Sequence, residues 1–415
     1  MRAALWLLAL FGIAAAIALF AGNNQGTVTL FWPPYRVDIS LNLMLLLLVA
    51  AFLLLHAVLG ALAALFDLPR QAQRWRNQQK ERSMHAALLD ALSHMVAGRF
   101  IRARKSAQAS LAQEQSLQDS GQHLPNAAQL RTLAHLLAAE SAQALQDRPA
   151  REDHLARALA ASRDSQETHE GALMRASRWS LHDHEPQAAL AWLKGMPQGA
   201  ARRTLALRTR LKASRLAGRS QEALETARLL AKHRAFSPDA AQSIVRGLAI
   251  DLLNGAYDTA QLERAWACLE TAERQMPEVA IHGAARLVRL GGDAQVAREW
   301  LLPVWDAYPR LAESMRTRLA LALEEGLDAV DANWLARIEA AQRAQPRDAT
   351  LQYLAGMACM KRQLWGKAQQ LLTQAALALQ DARLQRKAWR ALAELAEQRG
   401  EQAKAGEAWK RAAGD

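Results

Sequence analysis

The stretch Gly98-Arg99-Phe100-Ile101-Arg102-Ala103 decides the fold, because its frame returns along the chain. A turn residue followed five positions later by alanine recurs at Gly218 and Ala223, Gly292 and Ala297, Gln363 and Ala368, and Gly400 and Ala405. His184 with Ala189 keeps the same frame, 34 residues before the step that starts at Gly218. A glycine relieves the turn between two helices, and a small alanine lets the second helix press onto the first. Pro277, Pro309 and Pro346 fall where a second helix should stop, since proline cannot continue it.

These residue types and this step resemble the tetratricopeptide repeat (TPR), a helix-turn-helix unit of about 34 residues. One such hairpin cannot bury its apolar face alone, so units stack into an α-solenoid with a concave groove. The spacing predicts an all-α array over residues 83–415, of roughly eight or nine units on the length of that repeat. Gln113 to Asn126 is a polar interruption that predicts a long loop or an elongated helix pair, and Leu392 to Ala413 is polar enough to cap the array. Nine of the twelve tryptophans lie from Trp179 to Trp409. At helical spacing they read as wedges between stacked helices, the alternative being aromatics that line a peptide groove.

Composition agrees. The chain is 51% apolar and rich in Ala, Leu, Gln, Arg and Glu, with few of the β-branched and aromatic residues that fill strands. Two cysteines, Cys268 and Cys359, make neither a disulfide framework nor a zinc knuckle. The net charge of +12 would suit nucleic acid, but residues 1–68 hold only Arg2, Arg36, Asp38 and Asp67, which cancel. The excess starts abruptly at Arg70, Arg74, Arg76, Lys80 and Arg82, opposed only by Glu81. A basic cluster directly after an apolar segment reads as a topology signal and an anchor to anionic lipid headgroups. No face interleaves basic and aromatic residues, so nucleic acid is not the expected partner.

Two uncharged apolar runs, about 3–21 and 43–66, are each long enough to cross a hydrocarbon core of about 30 Å as helices. The first could instead be a cleaved signal peptide, but Leu19-Phe20-Ala21 lacks the small residue wanted three positions before a cleavage site. The basic cluster would keep the end of the second run cytoplasmic, which predicts two spans with both termini and the repeats inside. Between the runs, Trp32, Pro33, Pro34 and Tyr35 read as an interfacial aromatic belt with helix-breaking prolines, or as a docking surface for another membrane protein. His56 lies in the middle of the second run, as a neutral imidazole bonded to the partner helix or as an axial haem ligand. Ala57, Gly60, Ala61 and Ala64 suit close packing of the hairpin or of two copies, a route to a homo-oligomer.

Catalytic signatures are missing. There is no dinucleotide or phosphate-binding glycine loop and no Gly-x-Ser-x-Gly elbow. His182-x-His184 is the one close histidine pair; two residues apart it suits a metal only on a loop, and a solvated turn is the simpler reading. The carboxylates are scattered, with no acid–base pair. An enzyme is not expected, nor a resident metal.

The run from Gly26 through Trp32-Pro33-Pro34-Tyr35-Arg36 to Ser40, then a Leu-rich span, the basic stretch and the Gly98–Ala103 unit, resembles the HemY family. That resemblance implies a bacterial inner-membrane protein with two spans and cytoplasmic TPRs. It implies an N-terminal anchor at 1–68, a basic juxtamembrane linker at 69–82 and the repeats beyond. It also implies a part in a late step of protohaem synthesis, as a scaffold for other proteins of that pathway. A haem or porphyrin carrier, and a scaffold for another envelope pathway such as lipopolysaccharide assembly control, are the alternatives.

Overall fold

The computed structural model describes residues 11–18, 22, 26–122, 124–327 and 331–414, with the backbone alone at 63–70. Of the first apolar run, residues 11–18 are described and are helical; the rest of 3–21 lies outside the described residues. The chain packs as two units, Met1–Ser165 and Gln166–Asp415.

In the first unit, helical residues 11–18 are followed by an antiparallel β-hairpin, Thr27–Trp32 paired with Tyr35–Ser40, the one interruption of helix among its described elements. Alternating Val28, Leu30 and Val37, Ile39 suit a ladder better than a helix. Its tip is a two-residue turn made by Pro33 and Pro34, joined by a cis peptide, with Trp32 opposite Tyr35. These prolines, expected simply to break a helix, therefore close a hairpin: neither has an N–H to contribute, and at the turn none is needed. Leu41 N donates to Gly26 O at 2.8 Å, so the hairpin closes directly onto the next helix, which Ser40 caps by accepting from Leu43 N.

That helix is Leu41–Val96, 56 residues without a break and roughly 84 Å long at 1.5 Å per residue. The stretch 69–82, expected as a linker, is the middle of this helix. Pro69 falls within the helix, and after it Gln, Arg, Lys and Ala favour helix, with neither Gly nor Pro from 70 to 82. Its last turns pack against Phe100–Asp119, and Ala127–Ala144 packs against Arg148–Ala161. The polar interruption is partly helical: Phe100–Asp119 runs on into it, and the connection is 120–126.

The second unit repeats the pairing: Gln166–His182 with Pro186–Lys194, Thr204–Leu216 with Ser220–Lys232, Pro277–Arg289 with Ala294–Asp306, Ala349–Lys361 with Trp365–Ala378, and Ala382–Gln398 with Gln402–Ala413. First helices also touch the first helices of neighbouring pairs, as Pro277–Arg289 touches Glu313–Glu324 and that helix touches Ala349–Lys361. This stacking is what a TPR-type array requires, and one buried cluster runs from Leu207 to Leu395.

The repeating frame is visible in the backbone. Gly98, Gly218 and Gly400 have φ of 70–74°, and His184 and Gln363 take φ 59° at the same place. The alanines that follow, Ala103, Ala189, Ala223, Ala368 and Ala405, are 0–4% exposed. In one unit the frame shifts: the left-handed residue is Gly291. Gly292 is instead a close approach, since a Cβ there would meet Leu287 Cδ1 at 2.5 Å. Pairing also includes a turn the frame missed, at Gln146 (φ 59°), where Arg151 takes the alanine position and bonds Gln143.

Tryptophans act as the expected wedges. Trp179, Trp266, Trp305 and Trp334 are buried. Trp266 stacks on Trp300 with centroids 4.2 Å apart, and Trp305 meets Trp334 edge-on at 5.7 Å. Each such ring buries enough apolar surface to contribute about 2–3 kcal/mol.

Candidate functional site

From Leu41 to Leu62 the long helix has mean hydropathy 2.7 and none of that window is buried. Leu46, Phe52 and Leu54 are more than 65% exposed. Twenty-two such residues rise about 33 Å, enough to cross a bilayer, and so continuous an exposed apolar surface is rare on a protein in water. This helix suits membrane anchoring. His56 lies on it, exposed, its ring stacked over Phe52 at 6.5 Å. Among the described residues no group of three or more His, Cys, Asp and Glu could hold a metal.

At the N-terminal end of the helix the β-hairpin carries its aromatic tip outward. Phe31 and Trp32 are each 73% exposed and Tyr35 71%. Arg36 lies over the Phe31 ring, 5.6 Å from its centroid, and pairs with Asp38 at 3.3 Å. Rings and one paired cation at the tip are the amphipathic mixture that suits a headgroup layer.

Beyond the apolar turns come the basic residues. The side chain of Arg70 lies outside the described residues. Arg74, Arg76 and Arg82 are exposed, and Lys80 is half-buried because its Nζ donates to Ser116 Oγ at 2.7 Å. At about 100° per residue, Arg74, Arg76, Lys80 and Arg82 are spread round the helix, as a collar. The five positions from Arg70 to Arg82 stand roughly 12–30 Å past Leu62 along the axis.

In the second unit a cavity of about 660 Å³ opens beside Thr204–Leu216 and Pro238–Asn254. Leu211, Phe236 and Leu248 contribute apolar surface, and Arg208, Lys212 and Arg215 a basic rim. Arg208 is held there, donating to Ala235 O at 2.8 Å with its guanidinium over Phe236. A second, more polar cavity of about 630 Å³ lies beside Arg316 and Asp348, which pair at 3.1 Å. Asp348 also accepts from Tyr308 Oη at 3.1 Å; burial and that carboxylate push the phenol's pKa up, so it stays protonated.

Burial pushes the Cys359 thiol up, away from thiolate. His182 ends a helix, 72% exposed and 3.8 Å from Asp183, and His184 is the left-handed turn residue, so that pair is the solvated turn expected. A different pair was not legible in the residues: His135 and His154, both buried, with Nδ1 atoms 3.1 Å apart. Nineteen residues separate them, and only the packing of two helices brings them together.

No curated protein matches the chain. Among solved structures, a tetratricopeptide repeat protein from Parabacteroides merdae aligns with 63% of this chain and 98% of its own, at 15% identity and TM-score 0.27. Yeast Tom70 aligns with 80% of this chain and 69% of its own, at 11% identity and TM-score 0.28. The fold assignment rests on the helix pairs themselves. Residues 26–146, which hold the β-hairpin, the apolar helix, the basic collar and the first two helix pairs' opening helices, match the family described as HemY protein N-terminus. Over that region the chain is similar to the N-terminal part of that family, and further TPR-like helix pairs follow it.

Proposed function

We propose that this chain is a membrane-anchored TPR scaffold acting in a late step of protohaem synthesis, where it gathers pathway proteins at the bacterial inner membrane. The observation that carries the reading is the unbroken helix Leu41–Val96, whose Leu41–Leu62 segment is apolar and unburied and whose end packs as the first helix of the first pair. Anchor and first helix pair then share one element, so the repeats and whatever they bind are tethered to the bilayer. Confinement of that kind raises effective concentration without any new contact.

In this reading two spans, 3–21 and 43–66, put the repeats on the cytoplasmic side, and 1–68 is the anchor. The collar of Arg70, Arg74, Arg76, Lys80 and Arg82 begins next to the anionic headgroup layer at Arg70 and Arg74, and its attraction to that surface fades along the helix towards Arg82. The aromatic tip at Trp32-Pro33-Pro34-Tyr35 then lies at the opposite, periplasmic interface. Late porphyrins are apolar and reactive, so neighbouring enzymes at one membrane would lose less of them in transit.

The test is the porphyrin and haem profile of cells lacking the protein, complemented by the full chain or by a copy truncated before Pro69. Accumulated late porphyrins, corrected only by the anchored form, are expected. An unchanged profile in the deletion would remove haem synthesis from the reading.

A further inference from the structure

The cavity of about 660 Å³ in the second unit is bordered by one face of each of two helices. On Thr204–Leu216 the lining residues Arg208, Leu211, Lys212 and Arg215 fall at i, i+3, i+4 and i+7, a single helix face. On Pro238–Asn254, Ile244, Leu248 and Asp251 keep the same spacing. Each face therefore runs along the cavity for about two turns, roughly 10 Å.

The floor is apolar and the rim cationic. Leu211 and Leu248 are 8% and 3% exposed, Phe236 and Ile244 are half-buried, and Leu216, also in the lining, is 53% exposed. Other cations of these two helices are committed to the fold: Arg210 pairs with Glu222 at 3.2 Å and Arg246 with Glu278 at 2.8 Å. Among the described residues no carboxylate pairs with Lys212 or Arg215, and both are exposed. Arg208 donates one N–H to Ala235 O, which leaves its charge uncompensated. Asp251 is the one acidic residue of the lining, so three cations stand against one carboxylate.

An apolar floor under an excess of positive charge fits a ligand of the opposite pattern, large apolar groups with carboxylates beside them. Two helical turns match about three residues of extended chain at 3.3 Å each, and such a chain presents alternate side chains to opposite sides. We propose that this face takes a short acidic–apolar segment of a partner protein, its apolar side chains on Leu211, Phe236 and Leu248 and its carboxylates against Lys212 and Arg215. The assignment rests on the scaffold reading and names the chemistry that the scaffold recruits. Asp251 opposes the charge of the segment and limits its affinity.

The experiment uses the full chain in phosphatidylcholine nanodiscs. Random octapeptides displayed on phage are selected on it, and an enriched sequence is labelled and titrated by fluorescence anisotropy. Enriched sequences are expected to combine Asp or Glu with Leu, Ile, Phe or Trp, and affinity to fall with added salt. Lys212→Glu/Arg215→Glu should weaken the peptide by about tenfold or more. Asp251→Asn should tighten it by about twofold, a gain that a damaged fold does not produce. The charge-reversed variant should in turn prefer the same peptide with Lys in place of its acidic residues. The proposal is overturned if selection yields no acidic–apolar pattern, or if Lys212→Glu/Arg215→Glu leaves affinity unchanged. It is also overturned if dihexanoyl phosphatidylglycerol is held at Lys212 and Arg215 more tightly than the peptide. The scaffold reading fails separately: a peptide bound as described, with unchanged porphyrins in cells lacking the protein, keeps the site and removes the pathway. Porphyrins that depend on the chain but are fully restored by Lys212→Glu/Arg215→Glu would overturn this face as the recruiting surface.

Discussion

Lys80 Nζ donates to Ser116 Oγ at 2.7 Å, tying the basic stretch of Leu41–Val96 to the helix it packs against. One member of the collar is thus partly structural, while Arg74, Arg76 and Arg82 remain exposed. Lys80→Ala is expected to cost the first unit about 0.5–1 kcal/mol, read as a lower thermal midpoint in detergent. Arg74→Gln/Arg76→Gln should leave that midpoint in neutral detergent alone. It should instead shrink the stabilisation gained when anionic lipid is added, by about 1 kcal/mol for each charge. Equal behaviour of the two variants would remove the distinction.

Continuity of the long helix can be tested at Gln78, which is exposed and inside the basic stretch. Gln78→Pro removes a backbone donor and crowds the preceding turn, at a cost of about 3 kcal/mol. Hydrogen exchange should quicken over the flanking turns and leave the second unit unaffected. If the anchored geometry matters, this variant should also restore the porphyrin profile less well than the unaltered chain. Unchanged exchange around Gln78 would mean that the helix is already broken there.

The turns make a directional prediction. His184 and Gln363 hold φ 59°, where a side chain costs energy that glycine does not pay. Gln363→Gly is expected to stabilise the second unit by about 0.5–1 kcal/mol, and Gly218→Val, at φ 70°, to destabilise it by about 1–2 kcal/mol. Urea unfolding of the two variants, compared by midpoint at constant slope, checks both signs.

Gly356 is a glycine of the other kind, needed for space. A Cβ there would meet Leu372 Cγ at 2.7 Å and Cδ2 at 2.9 Å, across the pair Ala349–Lys361 and Trp365–Ala378. Gly356→Ala is expected to cost about 1–3 kcal/mol by overpacking. Leu372→Ala in the same chain should recover part of that loss, and a double-mutant cycle on thermal midpoints measures the coupling.

Acid should weaken the first unit through the buried histidines. Desolvation, then the neighbouring ring and Arg157 and Arg131 against Asp153, lower His135 to about 4. Desolvation chiefly lowers His154 too, with Asp153 and Asp147 opposing and Arg157 and Arg104 adding to the shift. A folded pKa below the unfolded value means the unfolded chain binds the proton first. Stability is therefore whole above about pH 6.5 and falls as the pH drops towards about 4. The loss is on the order of 2 kcal/mol, given partial access to water. Replacing both rings, in His135→Leu/His154→Leu, should flatten the slope of unfolding free energy against pH in that window.

The helix pairs were legible because they rest on local rules. Gly98 and Ala103 announce a turn and a close helix contact within six residues, and the same frame at Gly218, Gln363 and Gly400 carries the same backbone. Where the alanine is replaced by Arg151, the turn at Gln146 left no mark in the frame and emerged only from the packing. The one-residue shift from Gly292 to Gly291 is likewise invisible in a pattern that asks only for glycine.

What the sequence by itself determined is the apolar helix, the basic stretch after it and the helical repeat, since hydrophobic length, charge and turn residues act over neighbouring positions. The tertiary structure decided the rest. It folded Thr27–Ser40 into a hairpin through pairing across the turn, and it carried one helix through the stretch expected to be a linker. It also brought His135 within 3.1 Å of His154. Contacts between residues 19 positions apart on different helices depend on how those helices cross, and no local period records a crossing.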